Sequence, residues 1–210
     1  LSFAALALRA AGPAGRPRLI GAAFCGSLAA CVKVTTLPPF AALVLLCRGR
    51  AWGAAWRERR KSRVGTILEA AALFILPLTA ALVWTAYSDG VKSENVLGRS
   101  LTSAALRDWN FGTWGQKLSW SSWIEIFERG RLAVGSLFVL AVSAGVVLRT
   151  GRRRKEFLGC LSLYVVAPAI FTNLHLVHEY YAFANQLFLV GAVAFALIGL
   201  GETEGAWRRA

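Results

Sequence analysis

The sequence predicts an all-α fold: a polytopic bundle of transmembrane helices with a short interfacial helical segment on its outer face. Three observations predict it. The 210 residues are 56% hydrophobic and only 17% charged, against about 25% charged in an ordinary soluble domain. The charges fall in clumps between long apolar runs. Those runs, at 64–87, 132–148, 157–174 and 182–200, approach the roughly 20 residues a helix needs to cross about 30 Å of hydrocarbon.

A soluble helical core would carry a polar residue at every third or fourth position, because one face of each helix meets water. These runs lack that stripe; 182–200 contains only Asn185 and Gln186 as strongly polar residues, both at its start. A net charge of +13 would suggest nucleic acid in a soluble protein, but its distribution argues for a bilayer. Arg48, Arg50, Arg57, Arg59, Arg60, Lys61 and Arg63 form one cluster and Arg149, Arg152, Arg153, Arg154 and Lys155 another. Each adjoins an apolar run, as the excess of cytoplasmic basic residues predicts. No nucleic-acid partner is expected.

Segment 19–47 is interrupted by Lys33, Thr35, Thr36, Pro38 and Pro39. Proline removes a backbone donor and disfavours helix in the residue before it, so two short helices, 19–32 and 34–47, fit better than one kinked span. A hairpin also keeps Arg9, Arg16 and Arg18 on the side of the first basic cluster. The run 64–87 then exits, 132–148 returns to the second cluster, 157–174 exits, and 182–200 brings Arg208 and Arg209 back inside. The largest outer region, 88–130, holds Lys92, Arg99, Arg107, Lys117 and Arg129 against Asp89, Glu94, Asp108, Glu125 and Glu128. It is neutral, and the positive excess falls on the inner side. An integral protein of a bacterial plasma membrane is expected. A start at Leu1 and the absence of methionine point to an internal or C-terminal piece.

Cys25, Cys31, Cys47 and Cys160 lie in apolar segments without metal or redox spacing, and no dinucleotide, phosphate-loop, metalloprotease or nucleophile-elbow motif is present. Gly21 and Gly26 read as small residues for helix packing. Trp109, Trp114, Trp120 and Trp123, with Phe111 and Phe127, make either an interfacial aromatic belt or a platform beside a lipid or sugar site.

Three polar features stand out. Lys33 sits in an apolar context, where a charge is costly and needs a reason; it either snorkels to the interface or, with Thr35 and Thr36, binds an anion such as a lipid-linked phosphate. Asn173, His175, His178, Glu179, Tyr180 and Tyr181 crowd a turn between two apolar helices, either as caps and anchors or as a phosphate- and sugar-binding group. Glu69 is an ionisable group inside an apolar run and so a functional candidate, but it lies shallowly, where it can instead reach back towards Arg63 or other basic residues.

The stretch Gly21-Ala22-Ala23-Phe24-Cys25-Gly26-Ser27-Leu28-Ala29-Ala30-Cys31-Val32-Lys33-Val34-Thr35-Thr36-Leu37-Pro38 resembles the glycine-rich helix, lysine and following helix of GT-C membrane glycosyltransferases, particularly family 39, which includes the protein O-mannosyltransferases and their bacterial relatives. Trp109-Asn110-Phe111-Gly112-Thr113-Trp114-Gly115-Gln116-Lys117-Leu118-Ser119 and His178-Glu179-Tyr180-Tyr181 agree with it in order along the chain. The resemblance implies transfer of a sugar from a polyprenyl-phosphate donor to a glycan, lipid or protein acceptor on the outer face, by inversion. It places Lys33, His178, Tyr180 and Tyr181 around the donor phosphate and the membrane-facing cavity, and leaves Glu179 without a matched role. The family's catalytic acid lies in a first outer loop that precedes this sequence, and helps hold a divalent metal in some members; no catalytic residue, metal ligand or cofactor is assigned within these 210 residues. A transporter or flippase subunit is the alternative, but would call for an inverted repeat and polar groups at mid-bilayer, and neither is found. A membrane scaffold would leave Lys33 and the histidines without a role.

Overall fold

A computed structural model describes residues 2–10, 15–57 and 60–207, all-helical apart from turns and without a strand among them. Arg59, Arg208 and Arg209 of the charge argument lie outside the described residues. Two compact units divide the chain, 1–107 and 108–210.

The first unit contains α1 (Ser2–Arg9), α2 (Gly15–Lys33), α3 (Leu37–Arg57), α4 (Arg60–Ala70) and α5 (Leu76–Ser93), the last two joined by a π-helical turn at Ala71–Ile75. Pro38 and Pro39 cannot donate to the carbonyls of Val34 and Thr35, four residues back. There the chain tightens into a 3₁₀ turn, Val34–Thr36, with Lys33 extended at φ −158° and ψ 85° and the Thr36 hydroxyl donating to the Lys33 carbonyl at 2.9 Å. Ala22 and Val44 share one core cluster with Phe3, Ala4, Ala7 and Leu73. On a straight helix they would lie about 33 Å apart at 1.5 Å per residue, so α2 and α3 fold back on each other, with α1 against both.

Side-chain size is inverted relative to a soluble helix. On α2 the buried residues are Ala22, Ala23, Gly26 and Ala30, while Ile20, Phe24, Leu28 and Val32 point outward, Val32 at 85% exposure. Small residues at the contact let backbones approach, and large apolar residues outside suit lipid. Gly26 is one such approach: a Cβ there would stand 2.9 Å from the Phe3 ring and 3.0 Å from Pro77.

The second unit begins in α6 (Arg107–Phe111) and continues through α7 (Trp114–Leu118), α8 (Trp120–Val134), α9 (Leu137–Thr150), α10 (Arg154–Ile170), α11 (Thr172–Val177) and α12 (Phe183–Trp207). Its core seats α8, α9 and α10 on α12: the Tyr164 hydroxyl of α10 donates to the Ile126 carbonyl of α8 at 2.9 Å, and Val147, Phe157, Ala192 and Ala196 form a second cluster. At the turn between α9 and α10, Arg153 pairs with Glu202 of α12.

Three stretches are long and apolar enough to cross a membrane: Gly15–Gly49, Arg63–Ser93 and Phe183–Thr203. Trp120–Val134 and Leu137–Thr150 together make a fourth, bent by 86°. Several sequence boundaries are corrected. Residues 132–134 belong to α8, because Gly135 turns at φ +84° and Ser136 caps a new helix by accepting from the Val139 amide. That leaves α9 only 14 residues, about 21 Å. The run 157–174 divides at Phe171, after Pro168. The region 88–130 is largely helical, since α5 reaches Ser93 and α8 starts at Trp120.

Glu69 does reach a basic residue, Arg48 rather than Arg63, and it also accepts from Trp52 Nε1 at 3.2 Å. Arg48 is 9% exposed; its guanidinium also donates to the Ala7 carbonyl at 3.0 Å and lies 5.9 Å from the Trp52 ring centre. The pair therefore ties α1, α3 and α4 together from inside two membrane-length stretches.

Candidate functional site

In the second unit the tryptophan-rich segment is fastened to the turn before α12. Gly112 adopts φ +72°, and a Cβ there would meet the Gln116 amide oxygen at 2.7 Å and the Asn173 backbone nitrogen at 3.0 Å. Only glycine fits both the angle and the space. Thr113 and Gln116 then close a capping box on α7. The Gln116 side-chain amide donates to Asn173 Oδ1 at 2.8 Å, and the Asn173 amide donates to the Trp109 carbonyl at 2.8 Å.

Lys117 anchors the same junction. Its ammonium donates to the carbonyls of Ala169 and Ile170 at 2.8 and 2.9 Å and to the Thr172 hydroxyl at 3.1 Å. These are the last carbonyls of α10, where the chain breaks and orphan acceptors gather. Burial holds the Lys117 ammonium below the usual lysine range, and the three acceptors favour its charged form.

This frame positions an aromatic and imidazole shelf. His178 is extended, at φ −125° and ψ 116°, ahead of a 3₁₀ turn at Glu179–Tyr181. Its ring lies 6.2 Å from Trp109, 5.1 Å from Tyr180 and 5.9 Å from Tyr181, centre to centre, and the two tyrosine rings are 4.5 Å apart. Tyr180 and Trp109 are half exposed. Burial first, then its contact with Tyr180, pushes the Tyr181 phenol up to about 12, so it remains a hydrogen-bond donor across the physiological range.

Beneath the shelf His175 is buried, 6.1 Å from the Tyr181 ring. Its Nδ1 lies 2.9 Å from the Phe171 carbonyl, which can only accept, so Nδ1 carries the proton. Nε2 lies 3.3 Å from the Asn185 side-chain amide. This network fixes the orientation of the ring and sets the floor of the shelf.

Of the four residues singled out for donor binding, the fold brings His178, Tyr180 and Tyr181 together. Lys33 lies in the first unit, half-buried at the break of α2. The four tryptophans separate: Trp114 and Trp120 are exposed by more than three quarters, as a belt requires; Trp123 donates to the Lys117 carbonyl at 2.8 Å and braces the segment; Trp109 alone joins the shelf. Asn173, Gln116 and Lys117 carry the geometry. Asn173 was legible only as one polar residue in a crowded turn, and nothing in the sequence pairs it with Gln116. Among the described residues no three of His, Cys, Asp and Glu are grouped to hold a metal ion.

Such a shelf can stack a ring substrate against indole and phenol faces and donate to it through hydroxyl and imidazole N–H. Comparison with protein-family profiles, with curated proteins and with solved structures finds no match to this chain.

Proposed function

We propose that this chain is the membrane portion of a glycosyltransferase that moves a sugar from a polyprenyl-phosphate donor to an acceptor at the outer face of the plasma membrane. One observation carries the reading. The two later stretches that resemble GT-C family 39 meet ring to ring, Trp109 and His178 lying 6.2 Å apart, centre to centre, while the first of them is hydrogen-bonded through Gln116 and Trp109 to Asn173, five residues before His178; the surface they form lies next to the apolar stretch Phe183–Thr203. In the reaction the acceptor oxygen bonds to the anomeric carbon as the bond from that carbon to the phosphate oxygen breaks. Negative charge grows on the leaving lipid phosphate, and fixed donors stabilise it. His178 and the tyrosines are assigned that role and the stacking of the sugar; Lys33 is assigned by the resemblance to a donor phosphate. No residue of this chain is assigned as the acceptor's base.

In the full-length protein, His178→Ala and Lys33→Ala are expected to insert at wild-type levels and to lower sugar transfer by about 100-fold or more, the scale for removing one preorganised donor to a developing anion. Transfer at wild-type rates in both variants would refute the assignment.

A further inference from the structure

The turn between α9 and α10 carries a dense positive charge. Arg149, Arg152, Arg153, Arg154 and Lys155 stand against only Glu156 and, across on α12, Glu202, a net charge of +3. The turn is pinned to the end of α12. Arg153 donates to Glu202 through Nε at 3.0 Å and through Nη2, and Arg152 lies 3.9 Å from the same carboxylate. A Cβ at Gly199 would stand 3.4 Å from the Arg152 carbonyl oxygen. Glu202 is the last residue but one of the membrane-length stretch Phe183–Thr203, so the turn sits at a boundary between hydrocarbon and head groups.

Both carboxylates are taken by two of the five cations: Glu202 holds Arg152 and Arg153, and Glu156 lies 3.5 Å from Arg153. Arg149, Arg154 and Lys155 are exposed, and none of them has an ion pair among the described residues. Arg153 is held at φ 54°, a left-handed conformation that costs any residue with a Cβ. With Gly151 at φ 65° it turns the chain so that Arg154 and Lys155 open α10. The helix dipole disfavours cations there. Orientation in a membrane requires basic residues near a span, and it would be served as well at the end of α9, where the dipole favours them. The placement instead leaves three unpaired cations at the level of lipid phosphates.

We propose that this turn binds the head of an anionic phospholipid. Arg149, Arg154 and Lys155 supply the attraction to its phosphate, and Glu202 fixes the turn by holding Arg152 and Arg153. Long basic side chains at a span's end reach the head-group level while their stems stay against apolar surface. A zwitterionic head brings its own cation and offers no net charge to a patch at +3. A soluble polyanion would not call for a turn fixed at the end of a membrane-length helix. The inference rests on nothing in the glycosyltransferase reading.

The test places the full chain in phosphatidylcholine nanodiscs doped with phosphatidylglycerol that carries a photoreactive group on its head, and maps the labelled peptides by mass spectrometry. Label is expected on the peptide containing residues 149–156, displaced by unlabelled phosphatidylglycerol and not by added phosphatidylcholine. A basic residue near an anionic bilayer surface contributes about fivefold in affinity, so the triple variant Arg149→Gln, Arg154→Gln, Lys155→Gln should lose roughly 100-fold in labelling there. The charge-preserving variant Arg149→Lys, Arg154→Lys should keep its label, and 1 M salt should weaken it in the wild type. Equal displacement by phosphatidylcholine, or undiminished label on this peptide in the triple variant, would overturn the proposal. So would stronger displacement by a soluble polyglutamate peptide than by phosphatidylglycerol, which would assign the patch to an acidic protein partner.

Discussion

Replacing Arg48 with alanine is expected to destabilise the first unit by about 3–5 kcal/mol, the cost of leaving one partner of a buried ion pair uncompensated. Arg48 holds Glu69, the Ala7 carbonyl and the face of Trp52 at once. Without it Glu69 keeps only the Trp52 donor, inside a stretch apolar enough to span a membrane. The carboxylate must then take up a proton or draw water inward, and α1 loses its tie to α3. Reversible unfolding in mixed micelles, followed by tryptophan fluorescence, measures the loss. The double variant Arg48→Met, Glu69→Leu removes both charges and is expected to recover most of it, since an apolar pair of similar volume is often as stable as a buried ion pair. If the single variant unfolds like the wild type, the pair does not hold this unit together.

Valine at Gly130 is expected to cost the second unit about 3 kcal/mol. A Cβ at Gly130 would stand 2.6 Å from both the Tyr164 hydroxyl and Leu189 Cδ1. Neither neighbour can give way: Tyr164 is 1% and Leu189 0% exposed, and the hydroxyl is bonded to Ile126. Overpacking of this kind costs about 1–3 kcal/mol for small additions, and valine adds two methyl groups more than alanine. Alanine is milder, because the same contact is offset by up to about 1 kcal/mol of helix propensity. Thermal unfolding of both variants in one detergent should rank them wild type, alanine, valine. Equal midpoints would mean that α8, α10 and α12 do not meet at Gly130.

The helices were legible because apolar runs without a polar stripe leave little else for them to be. The break at Lys33 was legible too: two prolines remove two donors, and the carbonyls they abandon lie just after the lysine. The bend at Gly135 was missed although Gly135-Ser136 carries a stop and a cap, since unbroken hydrophobicity on both sides hid it. Arg48 and Glu69 lie 21 positions apart on different helices, and no periodicity links them. In the candidate site the aromatic and imidazole residues announced themselves by density, while their supports did not. Asn173 and Gln116 are short polar side chains whose partnership exists only once α7 and α11 are folded together. Lys117 reads as an ordinary outer-loop charge until α10 ends beside it.

The central claim is that the shelf of Trp109, His178, Tyr180 and Tyr181 receives the donor. It is tested most directly by photolabelling the full-length protein with a polyprenyl-phosphate sugar that carries a photoreactive group on the sugar. Label is expected on the peptide containing His178, Tyr180 and Tyr181, to be displaced by excess unlabelled donor, and to be lost in His178→Ala. Label on Trp114 or Trp120 alone, or label on the shelf that excess donor does not displace, would contradict it.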